Sequence, residues 1–193
     1  MEQQATGMER YIAFLRAINV GGHTVKMEQL RALFADLDLA QVETFIASGN
    51  VIFTAPRERA PLLEAQVAAH LQQALGYAVA TFIRTTGEVA DVANYQPFST
   101  SSLTGADTSL YVAFLPTPLS PSAQQALQAA CSANDEFHSK GREVYWLSHT
   151  RMSDSPFSGP RLEKLLGLPA TVRNVTTVRK LAAKYAAPPI ILT

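Results

Sequence analysis

The sequence predicts an α+β protein made of two related halves, on three observations. Short β-branched and aromatic runs alternate with stretches whose apolar residues recur every three or four positions. Over residues 8–84 these come in the order strand, helix, strand, strand, helix, strand, the order of the split ferredoxin-like motif. Leu110-Tyr111-Val112-Ala113-Phe114-Leu115 then echoes Tyr11-Ile12-Ala13-Phe14-Leu15, and a helix and a hairpin follow it as before. Two ferredoxin-like subdomains with antiparallel sheets are therefore expected, at 8–84 and 109–193. A helix and a Ser/Thr/Gly-rich linker fill 85–108, and residues 1–7, which carry no apolar pattern, read as a disordered leader.

The first strand starts at Tyr11 and stays apolar to Val20, where Gly21-Gly22 stops it. Met27, Leu30, Leu33, Phe34 and Leu37 then mark one face of a helix that ends near Asp38. Strand-like runs at 42–47 and 51–54 flank Ser48-Gly49-Asn50, where glycine and asparagine tolerate the positive φ of a tight hairpin. A second helix over 61–75 turns Leu62, Leu63, Val67, Leu71 and Leu75 inward and stops at Gly76, and a strand over 78–83 closes the half.

In the second half a helix over 122–131 holds Cys131 as a buried small hydrophobe. Phe137 and 144–147 form a hairpin about Ser139-Lys140-Gly141, with one of Tyr145 and Trp146 inward and the other exposed. Helices over 160–166 and 175–185 and a strand over 189–192 complete it.

A chain of 193 residues is long enough to bury a substantial core. Lys+Arg and Asp+Glu number 16 each, so there is no global electrostatic case for nucleic-acid or membrane binding. The single cysteine, Cys131, allows no intrachain disulfide, and a reducing cytoplasm fits best. His23, His70, His138 and His149 lack metal-ligand spacing, and no phosphate-binding P-loop, dinucleotide fingerprint or nucleophile elbow is present. No metal or cofactor is expected, and no catalytic residue stands out.

The chemistry concentrates in two places. In the order above, strands one and two run the same way, so the hairpin after strand two lies at the end where strand one finishes. Arg16, Asn19, Gly21, Gly22 and Lys26 should share that edge with Ser48, Gly49 and Asn50. The first helix opens there, adding N–H donors and a positive dipole end suited to phosphate or carboxylate. The second place is the start of the last helix, where Asn174 reads as an N-cap beside Arg173, with Thr177 and Lys180 one turn on.

The leading expectation is a binding protein for a small phosphate-bearing anion, held by these residues. One alternative is an enzyme acting on a phosphorylated or nucleotide-like substrate in the same cleft, with Ser48, His23 or Lys26 as acid–base groups. The other is nucleic acid bound through Arg179, Lys180 and Lys184, since no acid follows Glu163.

Three segments together resemble the domain-of-unknown-function family 1697. They are Leu15-Arg16-Ala17-Ile18-Asn19-Val20-Gly21-Gly22, Ser48-Gly49-Asn50 and Thr171-Val172-Arg173-Asn174 with Thr177, Val178, Lys180 and Leu181. The resemblance implies a compact α+β protein with ferredoxin-like subdomains and no known activity. Ala17 stands where that family usually has glycine, and Val175 where it often has tryptophan.

Overall fold

A computed structural model describes residues 7–19, 24–46, 49–151, 154–155 and 157–186. Leader residues 1–6, Val20, Gly21, Gly22, His23, Ser48 and the strand expected at 189–192 lie outside the described residues. The chain divides into two compact units, Met1–Val89 and Ala90–Thr193.

The first unit contains β1 (Met8–Leu15), α1 (Met27–Ala35), β2 (Ala40–Thr44), β3 (Asn50–Pro56), α2 (Ala60–Leu75) and β4 (Thr81–Thr85). α3 (Thr86–Asn94) follows, and the division falls inside it. The second unit continues with β5 (Ser109–Phe114), α4 (Pro121–Ala129), β6 (Asp135–Lys140), β7 (Glu143–Ser148), α5 (Gly159–Leu166), β8 (Thr171–Asn174) and α6 (Val175–Tyr185). The sheets run β2-β3-β1-β4 and β6-β7-β5-β8 with every pair antiparallel, so each unit is ferredoxin-like.

The plan repeats down to register. Tyr11 pairs with Phe53 and Tyr111 with Trp146, and the ring centres of the two cross-strand pairs lie 5.7 Å and 5.1 Å apart, the first stacked and the second tilted. Ile12 faces Arg84 and Val112 faces Arg173, placing a buried arginine at the same site of each last strand. The strand residue that ends each echoed run makes the same bond, Leu15 N–H to the Gly49 carbonyl at 2.8 Å and Leu115 N–H to the Arg142 carbonyl at 2.9 Å.

The central strands explain the echo. Tyr11, Ala13 and Leu15 face α1 and α2 through Leu30, Phe34, Leu63, Val67 and Leu71, while Ile12 and Phe14 on the opposite face are buried too. Both faces must then be apolar, which produces five consecutive buried residues instead of an alternation. α2 carries Pro61 in its first turn and ends on Gly76 at φ +81°, the left-handed geometry glycine adopts without strain. Leu62 departs from expectation and is 56% exposed, because Leu63 one step (100°) around the helix takes the inward position.

Three further departures belong to the second unit. Tyr145 and Trp146 are both buried, since Tyr95, just past α3, packs on Tyr145 at 5.1 Å and covers the face that alternation leaves to solvent. Cys131 lies past the end of α4 and is exposed. Residues 171–174, for which the sequence predicts no strand, form an edge strand on β5.

Trp146 gives the second core its polar anchor. Its indole N–H donates to Asp135 Oδ1 at 2.7 Å, and Ser155 Oγ donates to the same oxygen at 3.2 Å, with Asp135 fully buried. Removing that carboxylate leaves a buried N–H with no acceptor. Asp135→Ala is expected to cost about 1–3 kcal/mol in urea unfolding followed by Trp146 fluorescence.

Candidate functional site

At the end of β1 the chain turns through residues that hydrogen bonds hold on several sides. Arg16 N–H donates to the Ala80 carbonyl at 2.9 Å, and the Tyr77 hydroxyl donates to the Ile18 carbonyl at 2.9 Å. Asn19 Oδ1 accepts from Val25 N–H at 2.8 Å, tying the two ends of the β1–α1 loop together across six residues. Ile18 is buried beneath this loop, Arg16 is half-buried and Asn19 is exposed.

The β2–β3 turn packs against the same loop, as the strand order predicts. Besides the Leu15–Gly49 bond, a Cβ at Gly49 would sit 3.0 Å from Ile18 Cγ2 and 3.2 Å from Leu15 Cβ, at a φ of +74°. Glycine is therefore required twice over, for conformation and for space. Asn50 is fully buried; its side-chain Nδ2 donates to the Phe45 carbonyl at 3.0 Å, and its own carbonyl accepts from Phe45 N–H. It positions the turn.

Two residues at this edge hold left-handed backbone without being glycine, Ala17 at φ +56° and Ile46 at φ +58°. A β-branched residue in that region is strained, and Ile46 is also 52% exposed. α1 opens here from Lys26, whose backbone has N-cap geometry (φ −66°, ψ 146°) and whose side chain makes no capping bond. Lys26 is exposed.

The expected residues of the second unit sit at the β8–α6 junction. Asn174 Oδ1 caps α6 by accepting from Thr176 N–H at 2.8 Å. Arg173 is buried within β8, and its Nη1 donates to Thr171 Oγ1 at 2.8 Å and to the Val172 carbonyl at 3.0 Å. Burial lowers its guanidinium to about 10, still charged at neutral pH. Thr177 is half-buried and Lys180 exposed. A small pocket of about 220 Å³ opens beside Asn174, Thr176 and Arg179. The structure thus brings Arg16, Asn19, Lys26, Gly49 and Asn50 to one edge of the first unit, and places Arg173, Asn174, Thr177 and Lys180 in the second.

Sequence reasoning missed Ala17, Ile46 and Tyr77. The signal for Ala17 was present, since the resembling family usually has glycine there. Among the described residues no group of three or more His, Cys, Asp or Glu side chains could hold a metal ion, and no helix is long and apolar enough to cross a membrane.

These features define a two-unit ferredoxin-like α+β protein with one loop-rich sheet edge. The family described as "Protein of unknown function (DUF1697)" matches residues 8–145, most of the chain, and the chain belongs to it. No curated protein matches. Among solved structures, the conserved bacterial protein SP0830 from Streptococcus pneumoniae is similar at 22% identity, with a TM-score of 0.71 over 94% of this chain and 100% of that one. That likeness supports the fold.

The edge yields two opposed mutational outcomes. Ala17→Gly relieves left-handed strain of about 1–2 kcal/mol at an entropic cost of about 0.5–1 kcal/mol, so a higher urea midpoint is expected. Gly49→Ala meets both the φ penalty and a crowded Cβ, and should lose about 1–3 kcal/mol in the same measurement.

Proposed function

We propose that the first unit binds a small phosphate-bearing anion where the β1–α1 loop meets the β2–β3 turn. The observation that carries this reading is a contrast between the two units. In the second, Ser120 occupies the N-cap of α4 with nearly the same backbone (φ −65°, ψ 159°) as Lys26, and its Oγ accepts from Ala123 N–H at 3.2 Å. Pro116 and Pro118 stiffen the loop before it. The fold therefore accommodates a closed, capped version of this junction. In the first unit the same junction carries two glycines, strained Ala17 and a helix start with a lysine where a capping side chain would be, and Ile46 in the neighbouring β2–β3 turn is strained too.

The physical chemistry follows from that difference. Uncapped N–H groups at a helix start donate to an anion, and the dipole favours negative charge there. Glu28 in the first turn of α1 offsets part of that field. Net attraction then rests on the cations Arg16 and Lys26, with Gly21, Gly22 and Ser48 entering the proposal by residue type alone and Gly49 holding the turn against Leu15 and Ile18. Asn19 and Asn50 shape the two loops.

Thermal unfolding in inorganic phosphate, pyrophosphate and nucleoside phosphates tests the reading. A bound anion at a hundred times its dissociation constant stabilises by roughly 2.7 kcal/mol, a shift of several degrees for this size. The shift should disappear in Arg16→Ala and survive in Arg179→Ala, which alters a cation of the second unit. Equal shifts in both variants would remove the first-unit edge as the binding site.

A further inference from the structure

The second unit carries a chain of three polar side chains that the anion reading does not use. His149, just past β7, has its Nε2 2.7 Å from Glu136 Oε1 on β6 and its Nδ1 3.5 Å from Thr108 Oγ1, just before β5. Sheet pairing gathers them, because Ser148 lies opposite both Ser109 and Asp135, and each of the three is next in sequence to one of these residues. His149 N–H donates to the Asn134 carbonyl at 2.8 Å, and an Arg151–Asp107 ion pair at 3.0 Å ties the segment after His149 to the one before Thr108. His149 is separated from its two partners by 41 and 13 positions in sequence, so no short motif announces the group.

The chemistry of this chain runs in one direction. An ionised carboxylate only accepts hydrogen bonds, so a neutral imidazole facing Glu136 carries its proton on Nε2. Nδ1 is then the acceptor, and the Thr108 hydroxyl is the donor toward it. A carboxylate that orients an imidazole, which in turn draws the proton from a hydroxyl, is the arrangement that activates an oxygen nucleophile. The longer step, from Thr108 to Nδ1, is the kind that tightens once a substrate is bound.

Thr108 also lines the pocket of about 220 Å³ beside the start of α6. Leu103 and Val175 give that pocket apolar walls, and Arg179 brings a cation to it. It is smaller than the roughly 300–1,000 Å³ of pockets for drug-sized molecules, so it suits a short group.

We infer that Thr108 is a nucleophile toward short-chain acyl esters, with His149 as general base and Glu136 as the residue that positions His149. Thr108 Oγ bonds to the acyl carbon as its proton passes to His149 Nδ1, and that proton leaves with the alcohol when the ester carbon–oxygen bond breaks. Water then gives a proton to Nδ1 and takes the acyl group as a carboxylic acid, and the proton returns to Thr108 Oγ. Arg179 offsets the negative charge that develops on the carbonyl oxygen.

Methanesulfonyl fluoride tests the nucleophile at a size the pocket suits. It forms an oxygen–sulfur bond with a base-activated hydroxyl and releases fluoride, and peptide mass mapping reads the site. Thr108 and His149 are half-buried, so their variants should keep the wild-type urea midpoint. The expected result is an adduct on Thr108 that Thr108→Ser retains and that forms about a hundredfold more slowly in His149→Asn. p-Nitrophenyl acetate should be hydrolysed by wild type and by Thr108→Ser, and at least tenfold more slowly by Thr108→Ala. NMR of the imidazole nitrogens should place the His149 proton on Nε2 in wild type, and Glu136→Gln should lose that preference and slow the labelling. The proposal is overturned by adducts only at other residues, by none at all, or by an equal labelling rate in a folded His149→Asn. A wild-type proton on Nδ1 overturns the role given to Glu136.

Discussion

The constraint on which each unit depends is a central strand buried on both faces. β1 and β5 each lie between two other strands, and the runs Tyr11-Ile12-Ala13-Phe14-Leu15 and Leu110 through Leu115 leave almost no room for a polar residue. Burying such a strand stabilises the sheet by removing apolar surface from water, at roughly 25 cal/mol per Å². It also fixes where the strand must end. Leu15 ends the continuous buried run; its N–H meets the Gly49 carbonyl, and the next residue, Arg16, is already half-buried. The position of the candidate edge follows from where burial stops.

Two copies of one plan act as each other's control. Where both copies agree, as at the Leu15–Gly49 and Leu115–Arg142 bonds or the Ile12–Arg84 and Val112–Arg173 pairs, the shared feature is explained by the fold. Where they differ, the fold has permitted a choice. The second copy uses serine and prolines at the strand–helix junction, and the first uses glycines, a cation and strained backbone at Ala17. Strain that the fold can avoid in one copy and retains in the other points to a local requirement beyond stability.

Most of the architecture was legible because its signals are local. α2 could be bounded from Pro61 and Gly76, and α6 from Asn174 and the spacing of Val175, Val178, Leu181 and Tyr185, all four of which are buried. Errors arose where a local rule met a tertiary fact. Leu62 and Leu63 are adjacent on a helix and cannot both point at one core, and only packing decides between them. Strand alternation assumes one wet face, which Tyr95 removes from Tyr145. β8 is four residues long with arginine and asparagine at its end, too short and polar for a strand pattern, and it forms because β5 offers an open edge. In the candidate site, the meeting of loop and turn was legible from strand order. The structural use of Asn50 and the burial of Arg173 were not, since residue type says nothing of depth.

Lys26 holds the central claim in one position. Its backbone already has the N-cap geometry that Ser120 uses in the other unit, so Lys26→Ser should cap α1 and raise stability by about 1 kcal/mol. The decisive measurement is a pair of urea unfolding curves for this variant, with and without inorganic phosphate, beside the same pair for wild type. If the uncapped helix start is kept for an anion, the variant is more stable without phosphate and no longer gains from it. A variant that is more stable and still gains as much from phosphate as wild type would contradict the account.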